Sequence, residues 1–288
     1  NVFELYSLKF KTNLELMLQQ KTSRLETTIT TETGLVGKAA VAANQVDPVE
    51  AQEVTSSKQD TPILGATYHK RWYVPKSEDW GDLVDSFDKI RSGVEIGGPL
   101  LESARMALRR FKDKAILNGF YGVNRVGENG DQTVTFKPGN IIADASTGLT
   151  LAKLMTIRER LINSDFEPGE DKITVVVSGR ESSALLDDIK YTSSDFGHPV
   201  LDNGKLKSFM GFDFVEMSEK RFQYANADTL RQIPVYTKKA LALGIWADIE
   251  GWIEKRVDKK GNPQIYAKGT WGATRLDEEQ CFIINCKV

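Results

Sequence analysis

Histidines, cysteines and clustered acids are the side chains here whose chemistry could run a reaction or hold a metal, and their spacing supports neither. The two histidines, His69 and His198, stand far apart in unlike surroundings. No H-E-x-x-H zinc helix and no local signature of a serine or cysteine triad surrounds them, so each reads as a hydrogen-bonded loop histidine. Gly122 and Gly127 have the glycine spacing of a phosphate-binding loop, but Glu128 and Asn129 stand where that loop needs a lysine and a hydroxyl. An acid there repels phosphate. Ser86 and Lys89 match S-x-x-K without the S-D-N and K-T-G elements that give it meaning. The acids Asp187-Asp188 and Asp277-Glu278-Glu279 are adjacent in sequence, point in different directions on a helix or strand, and suit a solvated surface better than a cation site. No cofactor, no metal and no enzymatic activity are expected.

The two cysteines, Cys281 and Cys286, lie five residues apart in the apolar run Cys-Phe-Ile-Ile-Asn-Cys. On a strand that odd offset sends the thiols to opposite faces, about 17 Å apart along it, beyond disulfide reach. They read as packing residues, and a reducing, intracellular assembly site is the expectation. The first ten residues carry an early acid, Glu4, and lack a basic start and an unbroken apolar core, so no secretory leader is expected there. No run of about 18 apolar residues suggests a membrane span. The 288 residues carry 38 Lys and Arg against 40 Asp and Glu, a net charge of -2. Duplex DNA should therefore be held weakly and without sequence preference. A hydrophobic content of 40% with 27% charged residues describes a folded chain with a substantial core.

The elements that must position these residues fall into a sequence. Residues 1 to 24 suggest a short amphipathic arm, with Leu14, Met17, Leu18 and Leu25 near one face. From Leu25 to Tyr73 the chain turns Thr-rich and then Val, Ala and Gln-rich, broken by Gly34, Gly37, Pro48, Pro62 and Gly65. That pattern predicts extended hairpins with little apolar area, marginal unless they pack on something else. Residues 75 to 96 read as a polar connector anchored by Trp80, Leu83, Val84 and Phe87. A long helix is expected from Pro99, with Leu101, Ala104, Leu108, Phe111 and Ala115 on the apolar stripe and Glu102, Arg105, Arg109 and Lys112 on the wet face, ended by Gly119 and Gly122.

An α/β module follows: a helix over 151–162, a buried strand over 173–177, and a second helix opened by Ser178 and Glu181 at capping-box spacing. A strand is expected over 209–215. From Pro234 onward the reading is mainly β, with strands over 240–246, 264–271 and 281–287 and a turn over 258–263.

Several runs carry a resemblance. Asp60-Thr61-Pro62, His69-Lys70-Arg71-Trp72-Tyr73-Val74-Pro75, Trp80-Gly81-Asp82-Leu83-Val84-Asp85 and Asp88-Lys89-Ile90 resemble, in order and spacing, the major capsid proteins of tailed double-stranded DNA bacteriophages with the Hong Kong 97 fold. The resemblance extends to Leu18-Gln19-Gln20 and to Gly272-Ala273-Thr274-Arg275 with Glu278-Glu279, covering nearly the whole chain. Gly81 after Trp80 and Gly97-Gly98 before Pro99 depart from the pattern and alter local loop shape.

The resemblance implies an α+β, Hong Kong 97-like capsid fold: N-terminal arm over 1–24, E-loop over 25–74, peripheral domain over 75–143 and 234–288 with a spine helix at about 99–119, and axial domain over 144–233. It implies a structural subunit that self-assembles into pentamers and hexamers enclosing phage DNA, built in the host cytoplasm and located in the virion. Scaffolding, portal and decoration proteins are candidate partners, and no membrane is involved. Lys58, Asp60, Arg71, Trp72, Arg105 and Arg109 are the candidate intersubunit contacts. Mature particles are expected to lack covalent crosslinks, and residues 38 to 60 to be dispensable for folding but needed for a shell. An encapsulin-like nanocompartment shell, or a small α/β enzyme on residues 150–216, stands as the alternative.

Overall fold

The computed structural model describes residues 16–17, 19–56, 64–85, 97–164, 166, 171–187, 201–202, 205–206, 208–225 and 229–287. In chain order its strands and helices are β1 (Thr30–Thr33), β2 (Ala40–Val46), β3 (Tyr68–Tyr73), β4 (Lys76–Leu83), α1 (Gly97–Tyr121), β5 (Asn124–Val126), β6 (Gln132–Val134) and β7 (Ile141–Ile142). There follow α2 (Leu151–Asn163), β8 (Ile173–Val177), α3 (Gly179–Asp187), β9 (Leu201–Asp202), β10 (Lys205–Leu206), β11 (Phe212–Glu216) and β12 (Gln223–Ala225). The chain ends with β13 (Leu230–Thr237), β14 (Leu241–Arg256), β15 (Asn262–Arg275) and β16 (Cys281–Lys287).

These strands form three larger sheets and the small β9–β10 pair. One runs β11-β8-β13-β16-β7, with β12 on β13; a second runs β1-β14-β15-β4; the third runs β2-β3-β5-β6. Strand β8 reads Ile-Thr-Val-Val-Val and is buried along its whole length, the continuous apolar run of a strand covered on both faces. Its valines join Ile233, Val235, Phe282 and Ile284 of β13 and β16 and Leu154, Ile157 and Leu161 of α2 in one core cluster. Each such side chain contributes about 1.5–3 kcal/mol by leaving water.

The capping box predicted for α3 forms in part: Glu181 Oε2 accepts from the Ser178 amide at 3.1 Å, and the Ser178 hydroxyl accepts from the Arg180 amide at 3.3 Å. Both cysteines are buried and free in β16. Of the predicted arm, residues 1–15 and 18 lie outside the described residues, as do Ser86, Lys89, Asp188 and His198.

Four expectations need correction. Residues 75–96 are not only a connector, because β4 pairs antiparallel with β15 from Lys76↔Trp271 to Leu83↔Gln264. The strand predicted over 240–246 continues to Arg256, with register shifts between Ile245 and Glu250. Beyond Ile245 the side chains are only half-buried or exposed, and from Trp252 to Arg256 all are exposed, so the apolar signal that marks a strand fades while the backbone ladder persists. On α1, Lys112 is buried at 3% exposure, whereas Phe111 is 39% exposed. The helix packs on β14 and β15 and is also crossed by the segment near residues 19–26, so its covered arc reaches past the predicted stripe. The Lys112 ammonium lies over Trp271, 5.9 Å from the ring centroid, and reaches Glu26 at 3.0 Å and Asp248 at 2.9 Å.

Gly119, predicted to end the helix, sits inside it because β15 comes too close for a side chain. A Cβ there would stand 2.6 Å from the Ala273 carbonyl oxygen. We expect Gly119→Ala to lower stability by about 1–3 kcal/mol despite the better helix propensity of alanine, because overpacking exceeds that gain. Urea unfolding checks this; an unchanged or raised midpoint would contradict the tight seam.

Candidate assembly surfaces

The β2–β3 hairpin is held at its root. Its strands pair from Ala40↔Tyr73 to Val46↔Tyr68, with a register shift between Val41 and Ala43, and β3 pairs onward with β5 at Arg71↔Val126 and Trp72↔Arg125. Arg71 Nη1 reaches Glu278 Oε1 at 3.1 Å, with both side chains 13% exposed. Gln45 Nε2 donates to the Leu276 carbonyl at 2.9 Å, and Trp72 Nε1 donates to the Gly127 carbonyl at 2.8 Å. The same Glu278 accepts from Arg275 Nε at 2.8 Å. Arg275 has no exposure to solvent and donates to the carbonyls of Gly119 at 3.3 Å, Phe120, and Gly122 at 2.7 Å, where α1 ends. Arg71, Glu278 and Arg275 thus tie the hairpin to the end of the long helix.

Away from the root the cover disappears. Val46, Val49 and Val54 are 54%, 67% and 76% exposed, so no part of the described chain shields them. His69 Nε2 meets Asp47 Oδ2 at 3.0 Å, an exposed cross-strand pair with no nucleophile bound to it. Beside the root lies a cavity of about 430 Å3 lined by Trp72, Val74, Phe111, Lys114, Trp271 and Ala273. The buried Trp271 Nε1 has no hydrogen-bond partner among the described residues.

On the other side of α1, a buried carboxylate fastens the N-terminal segment. Asp113 accepts from Gln20 Nε2 and Ser23 Oγ, both at 2.5 Å, and from the amides of Arg24 at 3.1 Å and Leu25 at 3.3 Å. Arg109 Nη1 donates to the Lys21 carbonyl at 2.7 Å, and Arg110 Nη1 to Gln19 Oε1 at 2.8 Å. Arg105, Arg109, Lys112 and Asp248 line an open groove of about 540 Å3 here. Hydrogen bonding to Lys112 holds the Asp248 carboxyl below its usual range against the opposing effect of partial burial.

Two further buried cations are held by hydrogen bonds. Arg231, almost wholly buried, donates to Glu181 Oε1 at 2.6 Å, to Ser178 Oγ at 2.8 Å and to the Tyr224 hydroxyl at 3.1 Å. Lys153 Nζ donates to the carbonyls of Thr147, Gly148 and Asn285 at 3.1, 2.8 and 3.0 Å, and burial lowers its pKa. Burial pushes the Cys281 thiol well up and the Cys286 thiol up to about 12, so neither is poised as a nucleophile. Among the described residues no group of three His, Cys, Asp or Glu could hold a metal ion.

Of the predicted contact residues, Lys58 and Asp60 lie outside the described residues. Arg71 and Trp72 come together at the hairpin root, where both bond within the chain. Arg105 and Arg109 come together in the groove, sharing Glu102 at 3.9 and 3.6 Å. Sequence reasoning placed Glu278 in an acidic surface run and gave Asp113 and Arg275 no role of their own. Their partners are far away in sequence, and only the mid-helix position of Asp113 hinted at a constraint.

The family model described as phage capsid protein matches residues 2–288. No curated protein sequence matches the chain. Among solved structures, the capsid of cyanophage P-SCSP1u superposes with a TM-score of 0.74 at 12% identity, covering 99% of this chain and 94% of that one. The mature capsid of bacteriophage PhiM1 gives 0.72 at 12% identity, with 98% and 92% covered. Cyanophage Pam1 gives 0.70 at 12%, with 98% and 96% covered.

Two outcomes follow from the geometry. Glu278→Ala leaves Arg71 and the fully buried Arg275 without their carboxylate, and should cost about 3–5 kcal/mol, the range for breaking a buried pair. Urea unfolding measures it, and a loss below about 1 kcal/mol would mean that solvent replaces the carboxylate. The thiols should resist Ellman's reagent at pH 8 in the folded protein and react once it is unfolded. Because the folded chain keeps thiol protons that the unfolded chain releases near the ordinary value of 9.0, this contribution to stability falls as pH rises through that range. Rapid labelling of the native protein would contradict the buried setting.

Proposed function

The chain belongs to the phage capsid protein family, and from that membership we propose that it is the major shell subunit of a tailed phage head, arranged as pentamers and hexamers around double-stranded DNA. Its fold is the Hong Kong 97-type capsid fold, shared with the cyanophage and PhiM1 capsids. A match running from residue 2 to residue 288 carries the reading and favours a phage head over a cargo nanocompartment.

On this reading residues 25–74, which include the β2–β3 hairpin, are the E-loop, residues 1–24 are the arm, α1 is the spine of the peripheral domain over 75–143 and 234–288, and 144–233 form the axial domain. Strands β7 and β16 share a sheet with β8 and β11, so the axial–peripheral boundary runs through a sheet and not between sheets. Lys58, Asp60, Arg71, Trp72, Arg105 and Arg109 mark the regions that meet neighbouring copies. Arg71 and Trp72 act by setting the direction of the E-loop from its root. The shell contacts DNA weakly, assembles with scaffolding or portal proteins from the same phage, and needs no covalent crosslinks.

The exposed valines beyond the root favour a role outside the monomer. Because Ala40 to Val46 form a paired strand, the segment to remove is shifted from the expected residues 38–60 to residues 48–66. The Asp47 amide already bonds the Thr67 carbonyl at 3.0 Å, so an Asn-Gly turn can close the ladder there. We expect the full chain, with its phage neighbours co-expressed, to give sedimenting shells visible by negative-stain microscopy. The version shortened across 48–66 should keep its circular dichroism and form none. A full chain that stays monomeric under every condition would overturn the shell reading; a shortened chain that builds normal shells would overturn the E-loop's role.

A further inference from the structure

The dipeptide Asn-Gly occurs three times in this chain, at Asn118-Gly119, Asn129-Gly130 and Asn203-Gly204. The last lies outside the described residues. The first two asparagines are both exposed, but their main chains are held differently. Asn118 and Gly119 lie within α1, where the helix ladder fixes the backbone and the Asn118 carbonyl accepts from the Gly122 amide at 2.9 Å. Gly119 is also pressed against the main chain of Ala273. Asn129 and Gly130 lie in the turn between β5 and β6, where the Gly130 amide reaches the Gly127 carbonyl at 3.3 Å, longer than an ordinary bond of this kind. The Asn129 carboxamide has no hydrogen-bond partner among the described residues. Glycine carries no Cβ to shield the nitrogen that follows each asparagine.

We propose that Asn129 is a site of deamidation and that the rearranged product loosens the root of the β2–β3 hairpin. The Gly130 main-chain nitrogen loses its proton to water and bonds to the side-chain carbonyl carbon of Asn129. The carboxamide C–N bond breaks, ammonia leaves after taking up a proton from water, and a cyclic succinimide remains. Water then adds to one of the two ring carbonyls and breaks its bond to nitrogen. The product is aspartate, or isoaspartate, whose main chain runs through the former side chain. One water enters, one ammonia leaves, and nothing is oxidised or reduced. Asn118 is spared, because its ring closes only after the backbone leaves the helical conformation and Gly119 gives up its helix bond.

The product matters because Trp72 rests on this turn. Its Nε1 donates to the Gly127 carbonyl at 2.8 Å, and a Cβ on Gly130 would stand 3.1 Å from its Cγ. Isoaspartate adds one main-chain carbon between these two glycines, so Trp72 cannot keep both contacts. Ordinary aspartate keeps the chain length and adds a charge beside the exposed Glu128 and Asp131.

Ageing the full chain at mildly alkaline pH tests this, with peptide mapping by mass spectrometry and isoaspartyl methyltransferase to mark the rearranged product. In the folded chain Asn129 should convert about tenfold or more faster than Asn118, since the helix must open locally before its ring can close. In urea the two should convert at like rates, and Asn129→Gln should give no product at that position. Hydrogen exchange then compares the isoaspartyl form with Asn129→Asp. The isoaspartyl form should exchange faster in β3 and β5, which pair at Arg71↔Val126 and Trp72↔Arg125, and Asn129→Asp should match the unaged protein. No conversion at Asn129, or conversion of Asn118 as fast in the folded chain, overturns the site. An isoaspartyl form that exchanges like the unaged protein, or an Asn129→Asp variant that loosens equally, overturns the effect on the root. The shell reading stands or falls separately, by the particle assay.

Discussion

A guanidinium sealed from water fixes the arrangement of the segments around it. Arg275 cannot shed its charge, and an unpaired cation in that position would cost several kcal/mol, so its donors dictate where their acceptors lie. Three acceptors are the last carbonyls around the end of α1, which the helix itself leaves unsatisfied and which carry the negative end of its dipole. Another is Glu278, whose second oxygen holds Arg71 of β3. The guanidinium also stacks on Phe136, 5.2 Å from the ring centroid. One side chain therefore sets the end of the helix, the strand that leaves it and the root of the hairpin together.

The opposite flank of α1 uses the same device with the charge reversed. Asp113 is a buried anion that gathers four donors from residues 20–25, and Lys112 next to it is a buried cation shared by Glu26 and Asp248. Neighbouring positions on a helix point about 100° apart, so the two charges fasten different segments to one rigid rod. Ionic ties of this kind specify one geometry, because a displaced partner leaves a buried charge behind. Apolar burial then supplies the stability, in the cluster around β8, β13 and β16.

Much of the fold was legible in the sequence where burial was two-sided or periodic. Ile173 to Val177 announced a central strand, Ser178 and Glu181 the helix after it, and the spacing from Leu101 onward the long helix. The far half of β14 was not legible, because from Trp246 its side chains are at most half-buried and the alternation over 247–252 gives way to full exposure up to Arg256. Strand β4 was hidden for the same reason: its pairing with β15 is made by backbone groups, and the side chains of Lys-Ser-Glu-Asp-Trp-Gly-Asp-Leu show one apolar anchor inside the run. Lys112 and Phe111 exchanged roles because a helix covered on two sides has no single wet face. The hairpin root was half legible: the resemblance pointed to Arg71 and Trp72, but their partners Glu278 and Gly127 lie 207 and 55 residues away, a separation no local pattern carries.

Basic and acidic residues, 38 against 40, nearly cancel over the chain. With so small a net charge the chain presents no strong overall positive field. For a container of duplex DNA this matters physically. A lining that bound many phosphates would release counterions on contact and hold the genome with steep, salt-dependent affinity, slowing its movement in and out. A subunit whose charges nearly cancel does not supply such a lining, and that balance is the physical case for weak contact with an enclosed duplex.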